Sequence, residues 1–171
     1  HASRTVYARA EGCFYHRMTD DFSNLALDSR VHRRVYTDAD VFNSEMERVF
    51  GRAWLYVAHE SQVAETGDFV TAHTGNRPVI VSRHSDGKIY AFANRCSHRG
   101  MRVCAPRHGS RKRFVCPYHG WAFATDGALI GIPHGKGYNG KLDPRDPALS
   151  LDRVARVENY RGFVFASGAA D

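Results

Sequence analysis

Four side chains near the middle of the sequence could share a metal. They are Cys96 and His98 in Cys96-Ser97-His98, and Cys116 and His119 in Cys116-Pro117-Tyr118-His119. The spacing is C-x-H, then seventeen residues, then C-x-x-H. Each half lends one soft thiolate and one imidazole from a short segment. Each half also ends in a flexible element, Arg99-Gly100 in the first and Gly120 in the second. Glycine there lets backbone N–H groups approach a bound anion with no side chain in the way.

Zinc accepts two cysteines and two histidines, but zinc sites usually pair like with like, a C-x2–4-C beside an H-x3–5-H. Here each half mixes the two ligand types. An asymmetric binuclear cluster resolves the mismatch: one iron takes both thiolates, the other takes both imidazoles, and two sulfides bridge them. The charges agree with this. The oxidised [2Fe–2S] core carries two positive charges that two thiolates cancel, so the site is neutral when oxidised and gains one negative charge on reduction. That is cheaper to hold inside a protein than the more negative four-thiolate arrangement.

Such ligands need two loops projecting from one end of a sheet, and strand signals precede both. Candidate strands cover 54–58, 68–74, 79–83, 89–94, 114–115, 122–125, 129–132 and 161–166. Gly75-Asn76, Ser85-Asp86-Gly87 and Asp126-Gly127 separate them as hairpin-type turns. Many short strands at near-regular spacing predict a mostly β chain, an antiparallel sandwich or barrel. Residues 133–147 are rich in Gly, Pro, Asn and Lys and read as a long loop. Ahead of the strands, Thr37 is a candidate helix cap, with Asp38 and Asp40 favourable in the first turn. Phe42, Met46, Val49 and Phe50 follow at helical spacing and Gly51 can end the helix, which should pack on what comes next. Residues 1–35, with scattered hydrophobics and a crowd of Arg30, His32, Arg33 and Arg34, read as an arm.

At 171 residues the chain is one domain, or one domain plus an arm. That length buries about 70% of the surface of the unfolded chain, enough to fold without disulfide staples. Hydrophobic residues at 43% and charged residues at 25% exclude a wholly disordered chain. No apolar run approaches the ~20 residues of a membrane span, and the start, His1-Ala2-Ser3-Arg4, is not a secretory signal. The expected location is therefore cytoplasmic. The cysteines Cys13, Cys96, Cys104 and Cys116 read as metal ligands or free thiols, not disulfides. Cys104 reads as a buried or loop thiol, and His108 and His134 as surface loop residues rather than ligands. The net charge is +6, from 24 Lys and Arg against 18 Asp and Glu. Its densest run is Arg99, Arg102, Arg107, Arg111, Lys112 and Arg113. This run is either a solvated loop or a collar that steers an acidic ferredoxin or reductase. Aromatic residues do not interleave with it, which excludes nucleic acid as a partner.

The motifs resemble those of the Rieske family. Cys96-Ser97-His98-Arg99-Gly100 and Cys116-Pro117-Tyr118-His119-Gly120-Trp121 match both of its cluster loops. Further likeness narrows the resemblance to the N-terminal part of the alpha subunits of aromatic-ring-hydroxylating dioxygenases. It lies in Arg34-Val35-Tyr36-Thr37-Asp38, Phe50-Gly51-Arg52-Ala53-Trp54, Gly67-Asp68-Phe69, Asn94-Arg95 and Tyr160-Arg161-Gly162-Phe163-Val164-Phe165. About residues 31–167 are covered. The resemblance implies an antiparallel β-sandwich of the iron–sulfur-protein (ISP) type over residues 36–171. A cluster-binding subdomain is inserted at about 94–133, and the arm and a helix lead in. It implies that Cys96 and Cys116 hold a buried ferric iron, and His98 and His119 an outer iron where the electron localises. Arg99, Gly100, Met101, Tyr118, Gly120, Trp121 and Pro133 should surround the cluster. Among these, Trp121 and Tyr118 are expected to keep water out, and Gly131-Ile132-Pro133 to form a third covering loop. It also implies NAD(P)H electrons arriving through a ferredoxin or flavin reductase, and neighbouring alpha subunits in the whole enzyme. The electrons then leave for a mononuclear Fe(II) that uses O2 in aromatic compound catabolism. That iron belongs to a C-terminal catalytic domain, and the chain holds no spare H-x4-H pair with a later Asp to bind it. The chain is thus expected to be the electron-relay fragment of an oxygenase, with no ring-hydroxylating residue of its own. The alternatives are a free-standing Rieske-type ferredoxin and, in another class, a zinc-stabilised interaction module.

Departures from the pattern set the expected redox behaviour. Respiratory Rieske proteins join an extra cysteine in each loop as a disulfide, and the matching residues here are Met101 and Tyr118. Those proteins also aim hydroxyl donors at the cluster from positions occupied here by Trp121 and Phe123. Fewer donors stabilise the reduced, more negative state less. A redox titration is therefore expected to give a low Rieske potential, about −150 to 0 mV, and a value near +200 mV or above would reject this. The potential should also fall as pH rises through the histidine pKa of the oxidised form, because each ligating ring can lose its outer proton. A flat potential from about pH 6 to about pH 11 would argue against that coupling.

Overall fold

The run Val79-Ile80-Val81 does not alternate apolar with polar residues, which is the mark of a strand buried on both faces. The structure, a computed structural model describing residues 22–139 and 141–169, bears this out. The chain divides into two units, residues 1–43 and 44–171. In the first, β1 (Ala26–Leu27) pairs antiparallel with β2 (Arg30–Val31), and α1 (Arg34–Thr37) and the start of α2 (Ala39–Arg48) follow. Residues 1–21, most of the expected arm and Cys13 with it, lie outside the described residues.

The second unit contains ten strands. They are β3 (Leu55–His59), β4 (Asp68–Thr74), β5 (Arg77–Arg83), β6 (Ile89–Ala93), β7 (His108–Ser110), β8 (Phe114–Val115), β9 (Ala122–Phe123), β10 (Leu129–Gly131), β11 (Arg156–Tyr160) and β12 (Phe163–Ser167). They form three antiparallel sheets, ordered β6-β5-β4-β7, β11-β12-β3 and β10-β9-β8. The four-stranded sheet supplies both cores. From one face Val70, Val79, Val81 and Ala91 pack with Val57, Ala58, Val164 and Ala166 of the β11-β12-β3 sheet. From the other, Phe69, Ile80 and Phe92 pack with Phe114, Trp121, Phe123, Leu129 and the sulfurs of Cys96 and Cys116. This is the expected mostly β sandwich, with the small β8–β10 sheet inserted between β6 and β11. A sheet of such short strands is not stable alone. Phe114 anchors it, edge-on to Phe69 at 5.4 Å and to Phe92 at 5.7 Å, each pair adding about 1 kcal/mol beyond burial.

Some expectations need correction. Asp38, not Thr37, caps α2: its backbone is extended and its carboxylate accepts the Asp40 N–H at 3.0 Å. Thr37 ends the preceding α1, its hydroxyl donating to the Arg33 carbonyl. The buried residue of α2 is Val41, whereas Phe42, Val49 and Phe50 of the expected packing face are exposed. His108 lies in a strand, β7, and not in a loop. The expected long loop contains two 3-10 turns, Gly135–Tyr138 and Pro147–Leu149. Finally, the expected strand 161–166 starts only at Phe163, and β11 precedes it with no sequence signal of its own. Arg161 and Gly162 are instead the turn between β11 and β12, at φ 53° and 91°. Both central residues of such a two-residue hairpin turn must be left-handed, which is why glycine stands there.

The segment that carries Cys96 and His98 is closed by one buried side chain. Asn94, directly after β6, accepts the N–H groups of Val103 (3.0 Å) and Cys104 (2.8 Å) and donates to the Cys104 carbonyl (2.7 Å). Cutting it to alanine leaves the Val103 and Cys104 N–H groups unpaired and the Cys104 carbonyl with Arg102 alone, so Asn94→Ala is expected to cost about 3 kcal/mol in urea unfolding. Ser82→Ala, which removes a single buried bond from the Ser82 hydroxyl to the Thr125 carbonyl, should cost about 1 kcal/mol and serves as the reference.

Candidate metal centre

The two motifs fold into turns of one design. In the first, the Cys96 N–H donates to the Met101 carbonyl (2.8 Å) and the Gly100 N–H to the Cys96 carbonyl (2.8 Å). In the second, the Cys116 N–H donates to the Trp121 carbonyl (2.8 Å) and the Gly120 N–H to the Cys116 carbonyl (3.0 Å). The glycine stands four residues after the cysteine in both, at φ 73° and 70°. Gly120 is doubly constrained, since a Cβ there would sit 2.9 Å from the Pro133 ring. The histidine is the second residue after the cysteine in one turn and the third in the other. The unequal spacing of C-x-H and C-x-x-H is therefore an offset within one common turn. The second turn links β8 to β9, whose Val115 and Ala122 pair across it. The first is anchored from the side, where the Ser97 hydroxyl donates to the Leu149 carbonyl at 2.6 Å.

The four side chains sort by type. Cys96 and Cys116 are each 2% exposed and lie in one phenylalanine core, near enough for one thiol to act on the other. His98 and His119 lie further out, half-buried, their ring centroids 4.7 Å apart. Burial pushes the Cys96 thiol up to about 11; the backbone N–H groups of His98 and Arg99 act against this, and the neighbouring Cys116 adds to it. His98 is held below the usual imidazole range by burial first, then by the charges of His119 and Arg99. Without a cation the Cys96 thiol therefore stays protonated at neutral pH, while His98 is already in its neutral, ligating form.

This donor set fits a binuclear iron–sulfur core. Two buried thiols need positive charge beside them before they can ionise, and two neutral imidazoles add none. Among the described residues, no three of His, Cys, Asp and Glu converge as they would on a single ion. The centre instead offers a sulfur pair and a nitrogen pair.

The surrounding residues fall where the turns put them. Trp121 is buried, its indole parallel to the His98 ring (centroids 4.7 Å, planes 3° apart). Tyr118 lies against His119 at 3.8 Å but is 56% exposed, and Met101 is exposed as well. Arg99 and Pro133 are exposed. The basic run divides: Arg102 donates to the Cys104 carbonyl, and Arg111 lies over the Phe69 ring, so both brace the loop. Cys104 is fully buried, and burial raises its thiol above the usual range. His108 and His134 are exposed. Sequence reasoning missed the roles of Asn94 and Ser97. Their partners at residues 103–104 and 149 are set by the fold, and no local spacing announces them.

Known proteins agree with this geometry. The family model described as the Rieske [2Fe-2S] domain matches residues 53–154. The benzene 1,2-dioxygenase alpha subunit of Pseudomonas putida is 42% identical over 138 residues, covering 81% of this chain and 30% of that protein. The biphenyl 2,3-dioxygenase alpha subunit of Rhodococcus jostii is 43% identical over 146 residues, covering 83% and 30%. A crystal structure of naphthalene 1,2-dioxygenase from Rhodococcus sp. bound to indole superposes with a TM-score of 0.78 at 36% identity, covering 87% of this chain and 34% of that one. The chain thus spans under a third of the length of these curated relatives. With both turns, the sulfur and nitrogen pairs and the family match in agreement, the chain belongs to the Rieske [2Fe-2S] domain family.

Proposed function

We propose that Cys96, His98, Cys116 and His119 hold one [2Fe–2S] cluster, and that the chain relays single electrons through it as the Rieske portion of a ring-hydroxylating dioxygenase alpha subunit. One observation carries the reading: two turns of one design bring two buried thiols together and set two imidazoles outside them. A bound [2Fe–2S] cluster supplies one reversibly held electron. The protein's side chains do the rest. Cys96 and Cys116 give up their thiol protons and offer paired negative charge. The N–H groups of His98 and Arg99 steady the Cys96 sulfur. Trp121 and the phenylalanine core exclude water from the inner side. His98 and His119 would each offer the cluster one ring nitrogen from the half-buried outer side of the site.

The names of the relatives support an aromatic hydrocarbon as the substrate of the whole protein. In that whole, we read the electrons as coming from NAD(P)H through a ferredoxin or flavin reductase. They pass on to a mononuclear Fe(II) in the part of the relatives that this chain does not span, beside neighbouring alpha subunits. We read residues 36–171 as the Rieske domain, with the cluster-binding subdomain at about 94–133, and the location as cytoplasmic. No helix among the described residues is long and apolar enough to cross a membrane. A free-standing carrier has less support, because the relatives are alpha subunits. The zinc module has less support because each turn mixes one cysteine with one histidine and the family model matched is the Rieske [2Fe-2S] domain.

Anaerobic reconstitution with iron and sulfide tests the reading. It should give brown-red protein whose dithionite-reduced electron paramagnetic resonance (EPR) spectrum has a low average g value, the mark of mixed nitrogen and sulfur ligation. Cys96→Ser and His119→Ala should each abolish that signal. A colourless parent protein that takes up zinc instead would overturn the assignment.

A further inference from the structure

The two imidazoles rest on different supports. The His98 ring lies flat on the Trp121 indole, centroids 4.7 Å apart and planes within 3°. Trp121 is itself fixed: it is 2% exposed, packs in the core with Phe114 and Phe123, and its carbonyl accepts the Cys116 N–H at 2.8 Å. Besides His98, the ring against His119 is Tyr118, tilted 30° at 3.8 Å, and Tyr118 is more than half exposed. One ring leans on the interior, the other on a side chain at the surface.

We propose that Trp121 is a positioning residue for His98, making His98 the fixed outer ligand and His119 the adjustable one. This rests on the cluster reading above and adds the unequal duties of its two nitrogen ligands. A ligating ring must keep its nitrogen aimed along the bond to iron. A flat, immobile indole face leaves the His98 ring little freedom to rotate and keeps water off that side, so a broken bond re-forms before water or a proton intervenes. The ring contacts of His119 are with the half-buried His98 and the exposed Tyr118, so its ring can follow a partner docking over Tyr118.

The test compares three variants of the reconstituted protein. Trp121→Leu keeps an apolar side chain but removes the flat face, Trp121→Phe keeps a flat face, and Tyr118→Ala removes the exposed ring. Visible absorption and iron content of the parent come first, and a parent without a cluster overturns the cluster reading and this proposal together. With the cluster present, iron release to a ferrous chelator should be about tenfold faster in Trp121→Leu, the rate equivalent of one lost aromatic pair. Trp121→Phe and Tyr118→Ala should stay within about threefold of the parent. Pulsed EPR of Trp121→Leu should show one imidazole nitrogen coupling broadened and the other unchanged. Release from Trp121→Leu no faster than from Trp121→Phe, or both couplings broadened alike, overturns the role of Trp121 and leaves the cluster reading intact. Should Trp121→Leu fail to fold, as read by circular dichroism, the parent spectrum decides: unequal widths for the two couplings support the proposal, equal widths sink it.

Discussion

Two sulfurs held side by side away from water are costly unless positive charge lies against them. Cys96 and Cys116 are each 2% exposed in one core, and burial first, with the neighbouring Cys116 adding to it, lifts the Cys96 thiol to about 11. A metal core that neutralises both sulfurs turns the least favourable part of this interior into a strong binding site. Other features follow from keeping those sulfurs in place. Two glycine-ended turns aim them inward, Asn94 closes the first segment from within the core, and the Phe69, Phe92 and Phe114 rings support the small sheet behind.

The order of ligands from inside to outside has a physical logic. Thiolates carry charge that the cluster cancels, so they belong where the low dielectric strengthens that attraction. Imidazoles are neutral as ligands and tolerate partial exposure. In the proposed relay, placing them outward would put the electron-bearing end near the surface and the charge-cancelling end in the core. The exposed Tyr118 and Met101 would then be the skin through which a partner reaches the imidazoles.

Much of this was legible in the sequence because the informative patterns are local. Cys96, His98, Cys116 and His119 announce themselves by type and spacing. Strand β4 matches its alternating segment from end to end, and β8 matches as well. What escaped detection depends on distant partners. The strand β7 is an unpromising His-Gly-Ser that becomes a strand only by pairing with Asp68, Phe69 and Val70. The flat contact of Trp121 with His98 joins residues 23 positions apart, from one turn to the other. The helix cap moved from Thr37 to Asp38 because two adjacent residues could each cap, and the Arg34 guanidinium settles the choice by gripping the Asp38 carboxylate.

The four-stranded sheet, apolar on both sides, has a mechanical consequence. Val79 and Val81 face one core while Ile80, between them, faces the layer that contains the sulfurs. Neither layer can loosen without uncovering a wall of the other, so the two should melt as a single cooperative body. Motion that leaves this body intact is then restricted to what protrudes from it, and the ring-bearing tips of the two turns are among those parts. The domain thus stands as a stiff mount under a narrow compliant edge.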